Sequence, residues 1–222
     1  MAIRYVVGLD LGPAAEPTGL AVVERVPAGK GLEYAVRHLV RFPPGTSFAT
    51  IATTLGEVID KGGLAKPPII VDVTAVGPKV LPVVRRESKQ HWIVPVVLTA
   101  GLKAEEVDRT WRVPQRDLVT GLQLLLQERR LKVAPGLPEA DLLVRELTAF
   151  RAKVTLNADA DVADWRANPG DDLVLAIALA CWWGVRHPVR TGEMTIGYDT
   201  EMSQFLDRLF PDLAGGRQPR WS

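Results

Sequence analysis

Four aspartates stand where a carboxylate is costly or pointed. Asp72 lies inside the apolar run Ile69-Ile70-Val71-Asp72-Val73. Aspartate is depleted in strands, and a buried charge needs a partner or a cation. Asp10 ends the run Tyr5-Val6-Val7-Gly8-Leu9 and precedes Leu11-Gly12-Pro13. Asp171 and Asp172 follow Pro169-Gly170 and open the apolar stretch Leu173 to Trp183. Each has a plain explanation: a strand end facing a turn for Asp72, a turn aspartate before glycine for Asp10, a helix cap for the pair. Their order points further. One acid ends the first strand, one lies on the strand after the first helix, and one opens a late buried helix. Carboxylates brought together that way repel unless divalent cations neutralise them. Two ions bridged by them would activate a water and stabilise the leaving oxygen of a phosphodiester.

The elements that must position these acids are legible in the hydrophobic periods. Tyr5 to Leu9, Thr18 to Val23 and Tyr34 to Phe42 read as three strands in hairpin order, separated by glycine- and proline-rich turns. Ser47 caps a helix whose stripe is Ile51, Leu55, Val58 and Ile59, and Gly62-Gly63 stop it. Ile69 to Thr74 reads as a central parallel strand, continuously apolar apart from Asp72. A helix over Gly77 to Glu87, broken or started late at Pro82, and a strand over Trp92 to Leu98 follow. Pro114 opens a helix to Arg130 with Leu118, Val119, Leu122, Leu125 and Leu126 inward. Leu131 to Val133 is a short strand, and Glu139 to Phe150 a second amphipathic helix. Residues 154 to 170 read as irregular. Asp171 to Gly184 is apolar all round and so deeply buried. Residues 188–222 form a tail in which Met202 to Leu213 could make a short helix.

Composition narrows the class. The chain has 222 residues, 47% of them hydrophobic, which suits one compact domain with a tail. A net charge of +1 announces no global basic field, so contact with nucleic acid would need a local basic face. The single cysteine, Cys181, excludes an intramolecular disulfide and a cysteine-rich zinc site, and makes a reduced, cytoplasmic setting the expectation. The N-terminus lacks the features of a signal peptide, and the longest apolar run is too short to cross a bilayer.

Read together, several segments resemble the nuclease domain of phage large terminases. Gly8-Leu9-Asp10-Leu11-Gly12 with Glu16-Pro17-Thr18-Gly19-Leu20-Ala21 resembles its opening, and Val71 to Gly77 its second acidic strand. Val113 to Val119, Arg129 to Val133 and Leu137 to Leu147 resemble the helices and strand that follow, and Gly170 to Ala180 the closing acidic helix. The match runs over about residues 3–185. It implies an α/β, ribonuclease-H-like mixed sheet, an antiparallel meander followed by parallel strands, flanked by helices. It assigns residues 1–187 to that domain. The implied activity is metal-dependent endonucleolytic cleavage of DNA, double-stranded, with two Mg²⁺ or Mn²⁺ ions. By position Asp10, Asp72 and Asp172 are the metal-binding, catalytic acids; Asp171 shares or replaces the third role, and Glu16 is accessory. Other phage packaging proteins are the implied protein partners, no membrane is implied, and the setting would be the host cytoplasm.

There are departures. Gly170 stands where the family commonly has a histidine. No ATPase motor is present: Ala28-Gly29-Lys30-Gly31 is not a phosphate-binding loop, because Glu24 replaces its first glycine and Gly31 its Ser/Thr. The chain thus reads as a free-standing relative or an excised domain. Arg85, Arg86, Lys89, Arg112 and Arg116 are the candidate phosphate contacts, with Arg109, Arg129, Arg130 and Lys132 beside them; solvated helix faces explain any one cluster as well. Among six tryptophans, Trp182-Trp183 reads as core, and Trp111 and Trp165 as the better stacking candidates. His38, His91 and His187 form no metal spacing or triad. Two other readings fit these residues: a non-catalytic nucleic-acid-binding or phage-assembly protein on the same fold, and an actin-like ATPase lobe with Gly8 to Gly12 as its phosphate loop. The latter needs two lobes, for which the chain is too short.

Overall fold

The computed structural model describes residues 4–29, 31–89, 91–134, 136–156 and 170–187, with the backbone alone for 151–156. Trp165, the tail from residue 188 and most of the stretch read as irregular lie outside the described residues.

The β-rich opening builds three antiparallel strands, β1 (Tyr5–Asp10), β2 (Thr18–Ala28) and β3 (Gly31–Phe42). The last two run longer than the apolar runs: β2 continues through the buried Glu24 and Arg25 to Ala28, and β3 begins three residues earlier, at Gly31. A register shift sits between Val22 and Val23. Ser47 then accepts from the Thr50 N–H and starts α1 (Phe48–Lys61), which stops at Gly62. β4 (Ile69–Asp72) pairs parallel to β1. A single 3₁₀ turn, Pro78–Val80, leads into α2 (Leu81–Glu87); Gly77 precedes it at φ 77°, a conformation that favours glycine. β5 (Ile93–Thr99) pairs parallel to β4.

The next hairpin, β6 (Glu105–Val107) and β7 (Thr110–Pro114), has no counterpart in the apolar pattern, because β6 is exposed throughout. Pro114 ends β7 rather than opening the helix, and α3 (Gln115–Gln127) follows directly. β8 (Leu131–Val133) pairs parallel to β3 at the far edge. α4 (Ala140–Leu156) extends six residues past the expected Phe150, and α5 (Asp172–Arg186) closes the described chain.

Among the described residues these strands make one eight-stranded mixed sheet, in the order β6-β7-β5-β4-β1-β2-β3-β8. Two cores cover its faces. Tyr5, Val7, Leu9, Val22 and Val71 pack with residues of α1 and α2 on one side. Val6, Ala21, Val23 and Ile70 pack with residues of α3, α4 and α5 on the other. α5 is the central helix of that second face. Every residue from Asp172 to Gly184 is buried, as its all-round apolar sequence demands. No helix among the described residues is long and apolar enough to cross a membrane.

Candidate metal centre

Asp10 and Asp72 are the last residues of two neighbouring parallel strands and occupy the same register position. Side chains alternate along a strand, so the face of each can be read from its neighbours. Two residues before Asp72, Ile70 belongs to the core beneath α5. Two residues before Asp10, Gly8 faces the backbone of Ala176 in α5. Both aspartates therefore lie on the α5 side, on strands about 4.8 Å apart.

Asp72 is 1% exposed. Its Oδ1 accepts from the Thr74 N–H at 2.8 Å and from the Thr74 hydroxyl. The same hydroxyl oxygen accepts from the Leu98 N–H at 2.7 Å, so the carboxylate is tied to the end of β5 as well. The strand does end at Asp72, and the acid does engage the following turn, as the plain reading of the sequence held. It is nevertheless buried on the face shared with Asp10.

The third acid arrives from above. A Cβ built on Gly19 would lie 2.2 Å from the Asp172 carbonyl oxygen, and one on Gly8 would lie 1.8 Å from the Ala176 carbonyl oxygen. Two glycines on adjacent strands thus seat the first two turns of α5 directly on the sheet. Gly19 is paired with Asp10 on one side and with Arg41 on the other. Asp172 consequently sits over the gap between Asp10 and Arg41, in a row Arg41–Gly19–Asp10–Asp72 that crosses four strands.

Asp172 is 5% exposed, and its carboxylate is taken by Arg41. Arg41 Nε donates to both oxygens, at 3.2 and 3.0 Å, and Nη2 donates to Oδ1 at 3.1 Å. The hydrogen bonds Arg41 donates to the carboxylate, reinforced by the carboxylate's charge, raise the Arg41 pKa further.

The start of α5 is capped from another helix. Asp171 occupies the N-cap position but makes no side-chain capping bond. Glu146 of α4 does so instead: its Oε2 accepts from the Leu173 N–H at 3.1 Å and the Val174 N–H at 3.2 Å. The expectation that capping by an aspartate accounts for one member of the pair is corrected accordingly. Glu146 is 4% exposed, and its Oε1 has no hydrogen-bond partner among the described residues. Burial, reinforced by the charge of Asp172, pushes its pKa up to about 8. At the other end of α5, the buried Arg25 donates from Nη1 to the carbonyls of Gly184 and His187. That cation at the C-terminus complements the helix dipole.

Arg41 and Glu146 are the two residues that sequence reasoning missed, and both had a signal. Arg41 follows Leu39 on the inward phase of β3, where a charge breaks the alternation. Glu146 lies on the same helical face as Leu143 and Phe150, three and four residues away.

The remaining sequence candidates are dispersed. Glu16 is exposed in the β1–β2 turn. Arg85 and Arg86 are exposed on α2, and Lys89 just beyond it pairs with Asp60 of α1. α1 and α2 cover the opposite face of the sheet from the acids. Arg112 is exposed beside Val97, whose side chain also packs towards that opposite face. Arg116, in the first turn of α3, donates to the Leu102 carbonyl at 2.6 Å. It stands at the same strand-end edge as Asp10 and Asp72. Trp111 is half-buried against the core, packed edge-on against Trp182 and Trp183 at centroid distances of 5.6 and 6.3 Å, and the Trp182-Trp183 pair is buried as expected.

The donor set is all oxygen and carboxylate, the chemistry that suits Mg²⁺ or Mn²⁺. Asp72, Asp171 and Asp172 are buried and Asp10 is half-buried, and the Arg41 guanidinium stands as the counter-charge on Asp172. Among the described residues, however, no three acids, histidines or cysteines enclose a single point. Asp10 and Asp72 form one pair; Asp172 is engaged by Arg41.

A meander β1-β2-β3 continued by parallel β4 and β5, with a buried helix laid across the central strands, defines a ribonuclease-H-like fold. Within that fold the chain resembles the nuclease domains of phage large terminases. The large terminase nuclease from thermophilic phage G20c with bound zinc superposes with a TM-score of 0.51 at 18% identity, over 80% of this chain and 79% of that one. A second structure of the G20c large terminase nuclease gives 0.50 at 16% identity, over 80% of each chain. No protein-family model matches the sequence, and no curated protein matches it significantly.

Proposed function

We propose that this protein is a divalent-metal-dependent endonuclease that hydrolyses phosphodiester bonds of double-stranded DNA. The observation that carries the reading is the shared register of Asp10 and Asp72 on one face, with Asp172 seated beside them over Gly19. Asp10, Asp72 and Asp172 would hold two Mg²⁺ or Mn²⁺ ions, with Asp171 adjacent. Ions bound there would activate a water and stabilise the charge developing on the leaving oxygen.

The protein's own contribution is placement. Thr74 fixes the orientation of Asp72 through two hydrogen bonds and links it to β5. Gly8 and Gly19 let α5 approach until Asp172 is beside Asp10. Glu146 holds the first turn of α5 in position without placing a side chain of that turn in the cap. Burial of Asp72 and Asp172 limits competing water around the acids.

The test is cleavage of linear and circular duplex DNA by the full chain in Mg²⁺ and in Mn²⁺, with EDTA and Asp72→Asn as controls. Metal-dependent cleavage that disappears in the variant supports the reading; full activity in the variant sinks it. The Arg41–Asp172 pair also suits a non-catalytic DNA-binding protein on the same fold. DNA binding without cleavage in either metal would favour that alternative.

A further inference from the structure

We propose that residues 202–213 dock as an amphipathic helix into a cleft between α1 and the β2–β3 strands of their own chain. The inference stands apart from the nuclease reading and uses none of its residues. The cleft has a volume of about 180 Å³ and lies on the sheet face opposite the acids. Tyr5, Val22 and Leu64, all buried, line it from below, with His38 of β3 and Thr54 and Val58 of α1 at its sides. It is a concave, largely apolar seat, on the scale of cavities that hold one benzene-sized group.

The sequence supplies the occupant. Met202, Phe205, Leu206, Leu209 and Phe210 recur at intervals of three and four, the period of one helical face. Thr200 stands at the cap position, Glu201 falls in the first turn, and Pro211 ends the run. A helix that short is marginal in water, so its apolar stripe calls for a surface to cover it. The tether reaches. The His187 carbonyl accepts from Arg25, whose own N–H donates to the Arg4 carbonyl, next to Tyr5. The described chain therefore ends beside the strand that brings Tyr5 to the cleft. Residues 188–201 are fourteen more, with a reach of up to about 46 Å at about 3.3 Å each. Rounding the end of the sheet from one face to the other takes a path on the order of 25 Å, since packed layers lie about 10 Å apart. So short a tether keeps the segment at high effective concentration, and one well-filled cleft suffices to hold it. Charge agrees as well. Asp207 and Arg208 flank the stripe on its two sides, and the cleft has Arg37 on its β3 wall and Glu57 on its α1 wall, so one orientation pairs both.

The experiment is native trypsin digestion of the full chain, following cleavage after Arg190 in the tether and after Arg208 in the docked segment. Arg208 is expected to be cut at least about tenfold more slowly in wild type than in Phe205→Asp, which puts a charge in the stripe, while Arg190 is cut equally in both. Thr54→Trp, which fills the cleft from α1, should speed cleavage at Arg208 in the same way. Position is read by thiol bridging with a short bis-maleimide. Ser203→Cys is paired either with Lys61→Cys at the cleft or with Val144→Cys, exposed on α4 over the other face. The natural Cys181 is buried and stays out of the reaction. The Lys61→Cys pair should bridge within one molecule at least about fivefold faster than the Val144→Cys pair.

Equal cleavage at Arg208 in wild type and Phe205→Asp overturns the proposal. Equal bridging to both faces also overturns it, because the segment then sits elsewhere. Bridging only between two molecules makes a second copy the receptor and overturns docking within one chain. Phe205→Asp and Ser203→Cys leave the sequence of the described core unchanged. Should Thr54→Trp melt more than a few degrees below wild type, Thr54→Met takes its place in the same comparison.

Discussion

Asp10 and Asp72 face each other across two parallel strands at one register position, each as the final residue of its strand. Parallel neighbours with carboxylates side by side gain nothing from each other, since like charges directly opposite destabilise a sheet. On the reading proposed above, a divalent cation offsets that repulsion. Asp10→Asn and Asp72→Asn are therefore expected to cut cleavage by at least a hundredfold while raising the melting temperature of the metal-free protein or leaving it unchanged. Mg²⁺ should raise the melting temperature of the wild type by mass action, and that gain should vanish in both variants. Differential scanning fluorimetry beside a cleavage assay checks both; an unchanged Mg²⁺ shift in Asp72→Asn removes these residues as ligands.

The positions of these acids were readable from the sequence because each interrupts a strong local pattern: Asp72 breaks an apolar strand, and Asp171-Asp172 open an apolar helix. The meander, the central parallel strands and α5 were readable for the same reason. The β6–β7 hairpin was not, because an exposed edge strand carries no hydrophobic signal. Capping of α5 was misread for a physical reason. A local acid at the N-cap is the usual solution, but in a fully buried helix an acid from a neighbouring helix can take over, and Glu146 lies 26 residues from the helix start in sequence. Arg41's role also depends on a contact across 131 residues, which no local pattern reports.

Gly19 and Gly8 set how close α5 comes to the acids. A Cβ at either position would meet backbone carbonyl oxygens at about 2 Å, and backbone cannot rotate away as a side chain could. Gly19→Ala and Gly8→Ala are expected to destabilise the protein by about 3 kcal/mol or more, at the upper end of overpacking costs. Urea unfolding measures this directly. Gly19→Ala, which lifts the end of the helix that carries Asp172, should also lose metal-dependent cleavage under conditions where it remains folded. A loss under 1 kcal/mol would mean that α5 can shift, and that its seat on the sheet is not what fixes Asp172.

Charge on the far face should matter little. Arg85 and Arg86 lie on α2, across the sheet from Asp10, Asp72 and Asp172, and Lys89 is engaged by Asp60. Neutralising Arg85 and Arg86 together is expected to change DNA affinity by less than about twofold at physiological salt, where exposed charges more than about 8 Å away are screened. Arg116, at the strand-end edge that holds the acids, should lose more when replaced by alanine. Anisotropy titrations at two salt concentrations rank the sites. A larger loss at Arg85 and Arg86 than at Arg116 would move the DNA path to the α1–α2 face.

Glu146 makes the pH dependence of stability a reporter on the same helix. Its folded-state pKa, pushed up to about 8, lies above the ordinary glutamate value of 4.5. Between those values the folded protein holds a proton that the unfolded chain releases, so this group's contribution to stability is full below pH 4.5 and is lost as pH rises through about 8. The total is on the order of a few kcal/mol, from about 1.4 kcal/mol per pKa unit. Glu146→Gln keeps an oxygen to accept from the Leu173 and Val174 N–H groups and carries no titrating proton. It should flatten the decline between pH 5 and 8 without loss at pH 5. Glu146→Ala leaves both buried N–H groups unpaired and should cost about 2–4 kcal/mol at every pH. Urea unfolding of the three proteins across that range separates the two effects. A wild-type profile as flat as that of Glu146→Gln would show that the carboxyl is already ionised at neutral pH, its charge supported by the N-terminus of α5 and by Arg41.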